Sequence, residues 1–157
     1  MPSPIQIIQQ KIRQCSSCPL REGCSAPVPG FGPSTAKIMI VGEAPGATED
    51  KYGVPFCGDA GDRLEKLLAA AEVKREDVYL TNVLRCRPPG NRTPKKKEIR
   101  QCYPWLLEEI KVIKPTRIIT LGATPLSLFS PYPISQMHGT QFDCEIDLGE
   151  DDAHIIR

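Results

Sequence analysis

No stretch of this sequence approaches the roughly 20 consecutive apolar residues that a membrane-crossing helix needs. The N-terminus, Met1-Pro-Ser-Pro-Ile-Gln-Ile-Ile-Gln-Gln, carries no signal-peptide pattern. An excess of charge of one sign is also missing. The formal net charge of +1 excludes a strongly basic domain or tail, though not a local patch. No internal repeat, low-complexity tract or linker divides the chain. Nor is there an even set of cysteines: seven thiols without an export signal argue against a disulfide framework and for metal or redox chemistry. These absences lead us to expect one compact, soluble, intracellular domain of 157 residues, with cytoplasmic localisation and a monomeric state.

What is present begins with an amphipathic pattern over residues 4–14, where Ile5, Ile8 and Ile12 share one helical face. Residues 15–36 are rich in Cys, Pro, Gly and Ser and read as irregular. Lys37-Ile-Met-Ile-Val41 has strand character and ends at Gly42, and a long Gly/Pro loop follows to residue 60. A helix is predicted over 61–73, with Leu64, Leu67, Leu68 and Ala71 at i, i+3, i+4 and i+7. Val78–Val83 reads as a second strand and Arg117–Leu121 as a third. Between them, Thr93 and Pro94 are the expected N-cap and first residue of a helix running through Ile110, with Pro104 expected to kink it or mark its true start. Strand, helix, strand, helix, strand predicts an α/β domain with a parallel sheet and right-handed crossovers.

In such a sheet, ligands bind at the carboxyl ends of the strands. Three strand ends are expected to converge: Gly42-Glu43-Ala44-Pro45-Gly46, Asn82, and Gly122-Ala123. Gly42 and Gly46 let backbone approach a ligand closely. Glu43 can act as a base or stabilise a cation. The Asn82 amide, with one acceptor and two donors, can pair with the edge of a base. Phe56, an aromatic bracketed by Pro and Gly, is either a staple onto the core or a stacking platform. Taken singly, a Gly-rich turn is ordinarily just a turn and a strand-end Asn a local cap; it is the conjunction that favours a site for a planar group with an amide edge.

Cys15-x-x-Cys18, with Cys86 and Cys102 separated by fifteen residues, suits one four-thiolate site. Softness leaves zinc and iron both open, and the wide second spacing favours a cluster over a zinc ribbon. Cys24, Cys57 and Cys144 each read plainly as a small buried hydrophobe, with Cys24 the substitute ligand should the four be assigned differently. Residues 85–100 concentrate Arg85, Arg87, Arg92, Lys95, Lys96, Lys97 and Arg100 against Glu98 alone. The bland reading is a solvated loop. The sharper one is a rigid, proline-stiffened loop that contacts phosphates.

These motifs together resemble the type-4 uracil-DNA glycosylases. Gly42-Glu-Ala-Pro-Gly46, Glu49-Asp50, Gly53-x-Pro-Phe-x-Gly58 and Ala60-Gly61 are similar to the family's first motif. Thr81-Asn-Val83 with Cys86-Arg-Pro-Pro-Gly-Asn-Arg-Thr-Pro94 is similar to its second stretch, and Leu121-Gly-Ala123 to its third. The resemblance covers about residues 15–142. It implies a three-layer α/β/α fold with a central, mostly parallel four-stranded sheet, and hydrolysis of the N-glycosidic bond of uracil in DNA to start base excision repair. It further implies a [4Fe–4S] cluster on Cys15, Cys18, Cys86 and Cys102, a uracil pocket of Gly42, Glu43, Ala44, Gly46, Phe56 and Asn82, and catalytic roles for Glu43 and Asn82. DNA contacts are expected from Arg85, Arg87, Arg92, Lys95 and Lys96.

The sequence departs from the family in lacking its His-Pro motif: neither His138 nor His154 precedes a proline. Residues 142–146 and 154–157 read as hairpin strands, and the apolar ending predicts that a C-terminal strand and helix are missing from this chain. Two alternatives follow: a catalytically weak or inactive iron–sulfur DNA-binding relative, and a zinc-stabilised nucleotide-binding protein.

Overall fold

The computed structural model describes residues 1–148 and 154–156. Its centre is a parallel sheet of three strands, β1 (Ile38–Gly42), β2 (Val78–Asn82) and β3 (Arg117–Thr120), in the order β2-β1-β3. The expected fourth strand is a correction: among the described residues the sheet has three. The two further strands, β4 (Cys144–Ile146) and β5 (His154–Ile156), pair antiparallel with each other in a separate hairpin. The α/β class and the parallel pairing are as the sequence predicts.

Side-chain alternation along β1 and β2 sorts the core into two layers. Met39, Val41 and Tyr79 face α1 (Pro4–Arg13) and the long helix Lys96–Ile113, packing with Ile5, Leu106, Ile110 and Ile113. Ile40, Val78 and Leu80 face the other way, onto Leu64 and Leu68 of the helix Asp59–Ala70. That is the expected three-layer arrangement. Among the described residues no helix is long and apolar enough to cross a membrane.

Helix ends follow local chemistry. Ser3 caps α1 reciprocally with Gln6: its backbone N–H donates to Gln6 Oε1 at 2.8 Å and its hydroxyl accepts from Gln6 N. The long helix begins at Lys96 and not at Thr93-Pro94. The Glu98 carboxylate reaches back to accept from Lys95 N at 2.8 Å, and this sets the first turn two residues later. The helix also continues through Pro104. That residue is exposed, so its missing N–H costs one bond on the solvent side, while Cys102 and Leu106 bury the turns on either side.

One polar knot crosses the core. Arg85 and Glu109, 1% and 0% exposed, form a two-pronged ion pair at 2.9 and 2.8 Å. Glu109 also accepts from Tyr79 Oη at 3.0 Å, Thr81 Oγ1 at 2.7 Å and Gly30 N at 2.9 Å. Burial, with the adjacent Glu109 charge, pushes the Tyr79 phenol pKa far up, so it remains a neutral donor. Removing one member of a buried pair strands the other's charge. Glu109→Ala is therefore expected to lower stability by about 3–5 kcal/mol in urea denaturation. Replacing both residues with apolar ones of similar volume is expected to cost less.

Candidate active site

The β1–β2 register places Gly42 directly beside Asn82, so two of the three expected strand ends meet because the strands pair in parallel. Backbone continues the pairing past the strands: Val83 N donates to Gly42 O at 2.9 Å and Leu84 N to Glu43 O at 3.0 Å. The crevice is tight. A Cβ added to Gly42 would lie 2.5 Å from Asn82 Oδ1 and 2.6 Å from Phe56 Cζ. Only glycine leaves the Asn82 amide and the Phe56 ring edge free to converge over that backbone.

Phe56 is both staple and neighbour of the crevice. Its ring packs with Ile40, Leu64 and Leu80, is 7% exposed, and reaches Gly42 with Cζ. Its backbone sits at φ 54, a left-handed conformation that costs a bulky residue energy. Three features hold it there. Arg75 Nη2 donates to the carbonyl oxygens of Pro55 and Phe56. Gly61 lets the Phe56 carbonyl come so close that a Cβ there would sit 1.8 Å from its oxygen. Glu49 ties the two ends of the loop together, accepting from Gly46 N at 3.1 Å and Gly58 N at 3.0 Å.

Glu43 is half-buried, and its Oε2 accepts a 2.6 Å hydrogen bond from the Thr124 hydroxyl. Thr124 lies on the short helix Ala123–Leu126, just beyond the Gly122-Ala123 strand end, and is itself 9% exposed. The third strand end thus contributes through Thr124, a residue that sequence reasoning passed over although it lies one position past Ala123. Arg75 and Glu109 were passed over too, and nothing in the local sequence marks either. Ala44 and Gly46 line the same turn, Ala44 packing towards the cysteine cradle.

Cys86 and Cys102 are buried with Leu20, Cys24 and Leu84, and Cys18 and Ile99 pack against them. Cys15 accepts a 3.3 Å hydrogen bond from the Trp105 indole. Burial acts to raise the Cys15 pKa, yet hydrogen bonds from Ser17 and Trp105, with the Arg21 charge, bring it below the ordinary value. Burial and the neighbouring thiols Cys24, Cys102 and Cys18 push Cys86 up. Cys102 is pushed up to about 11, mainly by burial, with Cys18 and Cys15 adding to it. Cys86 thus feels Cys102 and Cys18, and Cys102 feels Cys18 and Cys15. Among the described residues, no three His, Cys, Asp or Glu side chains converge as on a single metal ion.

The basic loop requires a correction. Arg85 is not available to a DNA backbone, because the core ion pair with Glu109 holds its guanidinium out of solvent. Arg92 is partly neutralised by a two-pronged bond to Glu98 at 2.6 and 3.0 Å. Arg87 donates to Asn91 Oδ1 at 2.8 Å. Lys95 and Lys96 are exposed. A recess of about 290 Å³ lies between this loop and the Cys18–Gly23 segment, lined by Pro19, Arg92, Lys95, Lys97 and Gln101 among others. A larger hollow, about 560 Å³, lies elsewhere, along β3, and is bordered by Phe129, Met137 and His138. His138 caps the short helix Ile134–Met137, and the side chain of His154 lies outside the described residues.

Comparison with known proteins settles the family. The profile of the Uracil DNA glycosylase superfamily matches residues 29–154. The chain belongs to this superfamily, in its type-4 branch. It is 48% identical over 118 residues to the type-4 uracil-DNA glycosylase of Pyrobaculum aerophilum, covering 75% of this chain and 60% of that one. It is 42% identical over 142 residues to the type-4 uracil-DNA glycosylase of Thermotoga maritima, covering 88% of this chain and 74% of that one. With the type-4 enzyme of Archaeoglobus fulgidus the identity is 45% over 115 residues, 73% of this chain and 58% of that one. The chain thus spans about three fifths of the length of two of these curated relatives.

The loop at residues 42–61 depends on the close approach at Gly61. Gly61→Ala is expected to destabilise the protein by about 1–3 kcal/mol, because the clash is with backbone and no rotamer relieves it. Urea denaturation measures the loss, and near-ultraviolet circular dichroism reports the displaced aromatic loop.

Proposed function

We propose that this protein hydrolyses the N-glycosidic bond of uracil in DNA, inside the cell and as a monomer. The observation that carries this reading is the convergence of the Asn82 amide, the Phe56 ring and the Gly42 backbone at one parallel strand end, in a type-4 member of the superfamily. A base inside a duplex is out of reach and must be rotated out before it can be read. Asn82 then pairs with the amide edge of uracil, and the edge of Phe56 packs against the ring. The backbone of residues 42–46, with Ala44 and Gly46, lines the pocket.

The chemistry requires water to add at the sugar C1′ while the C1′–N1 bond breaks and uracil leaves with the electron pair. The transition state has oxocarbenium character, which a nearby carboxylate stabilises. Glu43 fills that role or orients the water, and Thr124 fixes its carboxylate. Phosphate contacts fall to Arg87, Arg92, Lys95 and Lys96, with Arg85 removed from the expected set. Local cations suffice for backbone binding even at a net charge of +1.

For Cys15, Cys18, Cys86 and Cys102 we propose a [4Fe–4S] cluster. The donor set fits on two counts. It is all thiol, and Cys18, Cys86 and Cys102 pack together in an apolar cradle with Cys15 near Cys102. The wide spacing of Cys86 and Cys102 favours a cluster over a zinc ribbon. When bound, the cluster supplies structure and not electron transfer, since hydrolysis is redox-neutral.

Release of uracil from a uracil-containing oligonucleotide, leaving an abasic site, tests the activity. A DNA-binding role without catalysis is favoured by one feature, that neither histidine precedes a proline, and binding without any abasic product is its signature. Asn82→Ala is expected to reduce cleavage roughly tenfold to a hundredfold, from about 1–3 kcal/mol of lost edge recognition, while salt-dependent DNA binding persists. Thr124→Val, isosteric but without the hydroxyl, is expected to lower kcat about tenfold or more with KM little changed. Thr124→Ser should restore most of the rate, and Tm separates this effect from misfolding.

A further inference from the structure

Three cysteines lie outside the proposed ligand set, and their surroundings differ. Cys57 is exposed. Cys144 is half-buried, with its thiol directed to Phe129 O at 3.6 Å. Cys24 alone of the three shares the cradle, 8% exposed and packed with Leu20, Leu84, Cys86 and Cys102. Its thiol donates to Arg21 O at 3.8 Å, and Cys24 is among the neighbours that hold the Cys86 thiol pKa up.

The local backbone explains the placement. The short helix Leu20–Gly23 presents Leu20 and Cys24 inward at i and i+4 and leaves Glu22 and Gly23 in solvent. The chain turns extended at Cys24, with φ −106 and ψ 155. Arg21 Nη1 donates to Cys24 O at 3.2 Å, and the next residue is clamped by Asp50, which accepts from both Ser25 N and Ser25 Oγ at 2.9 Å. Cys24 is thus held at the site before any metal arrives, so little chain entropy is lost if it ligates.

We propose that Cys24 is a reserve ligand of the thiol site, able to take the iron position of Cys86 when that sulfur is lost. This rests on the iron–sulfur reading of the four cysteines. The exchange involves no redox change: the Cys24 thiol gives its proton to solvent and its sulfur forms the iron bond that Cys86 no longer makes.

The test compares wild type, Cys24→Ala, Cys86→Ala and Cys24→Ala/Cys86→Ala, prepared without oxygen, by iron content and visible iron–sulfur absorbance. Cys24→Ala should match wild type. Cys86→Ala should keep roughly half or more of the wild-type iron, and the double variant about a tenth or less. Loss of iron in folded Cys86→Ala, or in Cys24→Ala alone, overturns the proposal. Wild type without iron overturns the cluster reading itself, a separately recognisable result. A second measurement needs no variant. In iron-free wild type, diamide should oxidise the Cys24 and Cys86 thiols to a disulfide, taking up their two protons and two electrons. Peptide mass spectrometry that finds no such link also overturns the proposal.

Discussion

The Arg85–Glu109 pair joins the end of β2 to the long helix through the core. Arg85 lies three residues beyond Asn82 and one before Cys86. Glu109 comes from the middle of the long helix and also holds Gly30 in the N-terminal loop. Val28 N donates to Arg85 O at 2.7 Å, which closes the connection from the loop side. One buried ion pair therefore ties together the segment carrying Asn82, the first wall of the cysteine cradle and the loop that packs between them. The desolvation of two charges is offset by Tyr79, Thr81 and Gly30, whose hydrogen bonds satisfy the carboxylate. Arg85 Nε has no partner, so the satisfaction is incomplete on the cation's side.

From that anchor the crevice is built by pairing and close approach. Parallel register brings Gly42 level with Asn82, and the missing Cβ of Gly42 admits both the amide and the Phe56 ring. Phe56 is held in a strained backbone conformation by contacts that come from elsewhere, Arg75 and the close approach at Gly61. Strain held in this way is a means of presenting a ring edge in one fixed position. Glu43 is likewise held from outside its own loop, by Thr124.

The cradle and the crevice communicate through short covalent paths. Ala44, in the loop of the proposed pocket, packs against the cluster of Cys86 and Cys102. The basic loop leaves from Cys86 and returns at Cys102, so whatever holds the thiols also holds the lysines that the proposed DNA contact uses. A structural role for the thiol site is enough to matter for binding, because a loop ordered in advance loses little entropy on meeting its ligand.

Much of this was legible in the sequence because it is encoded locally. Hydrophobic period gave the helices and strands, Gly42-Glu-Ala-Pro-Gly46 and Asn82 fell at strand ends, and Cys15-x-x-Cys18 with Cys86 and Cys102 marked the thiol site. What local patterns could not carry was the fate of a charge or the identity of a distant partner. Arg85 reads in sequence as one cation among seven, and only the arrival of Glu109 from 24 residues away turns it inward. Thr93-Pro94 reads as a helix start, and Glu98 moves that start by capping Lys95 instead. Thr124 and Arg75 become significant only through what they touch. The sequence by itself determined the element types and the strand ends at which Gly42 and Asn82 fall, since these follow from periodicity and spacing along the chain. The tertiary structure alone decided which charges face solvent and which backbone is strained, because burial and contact depend on residues far apart in sequence.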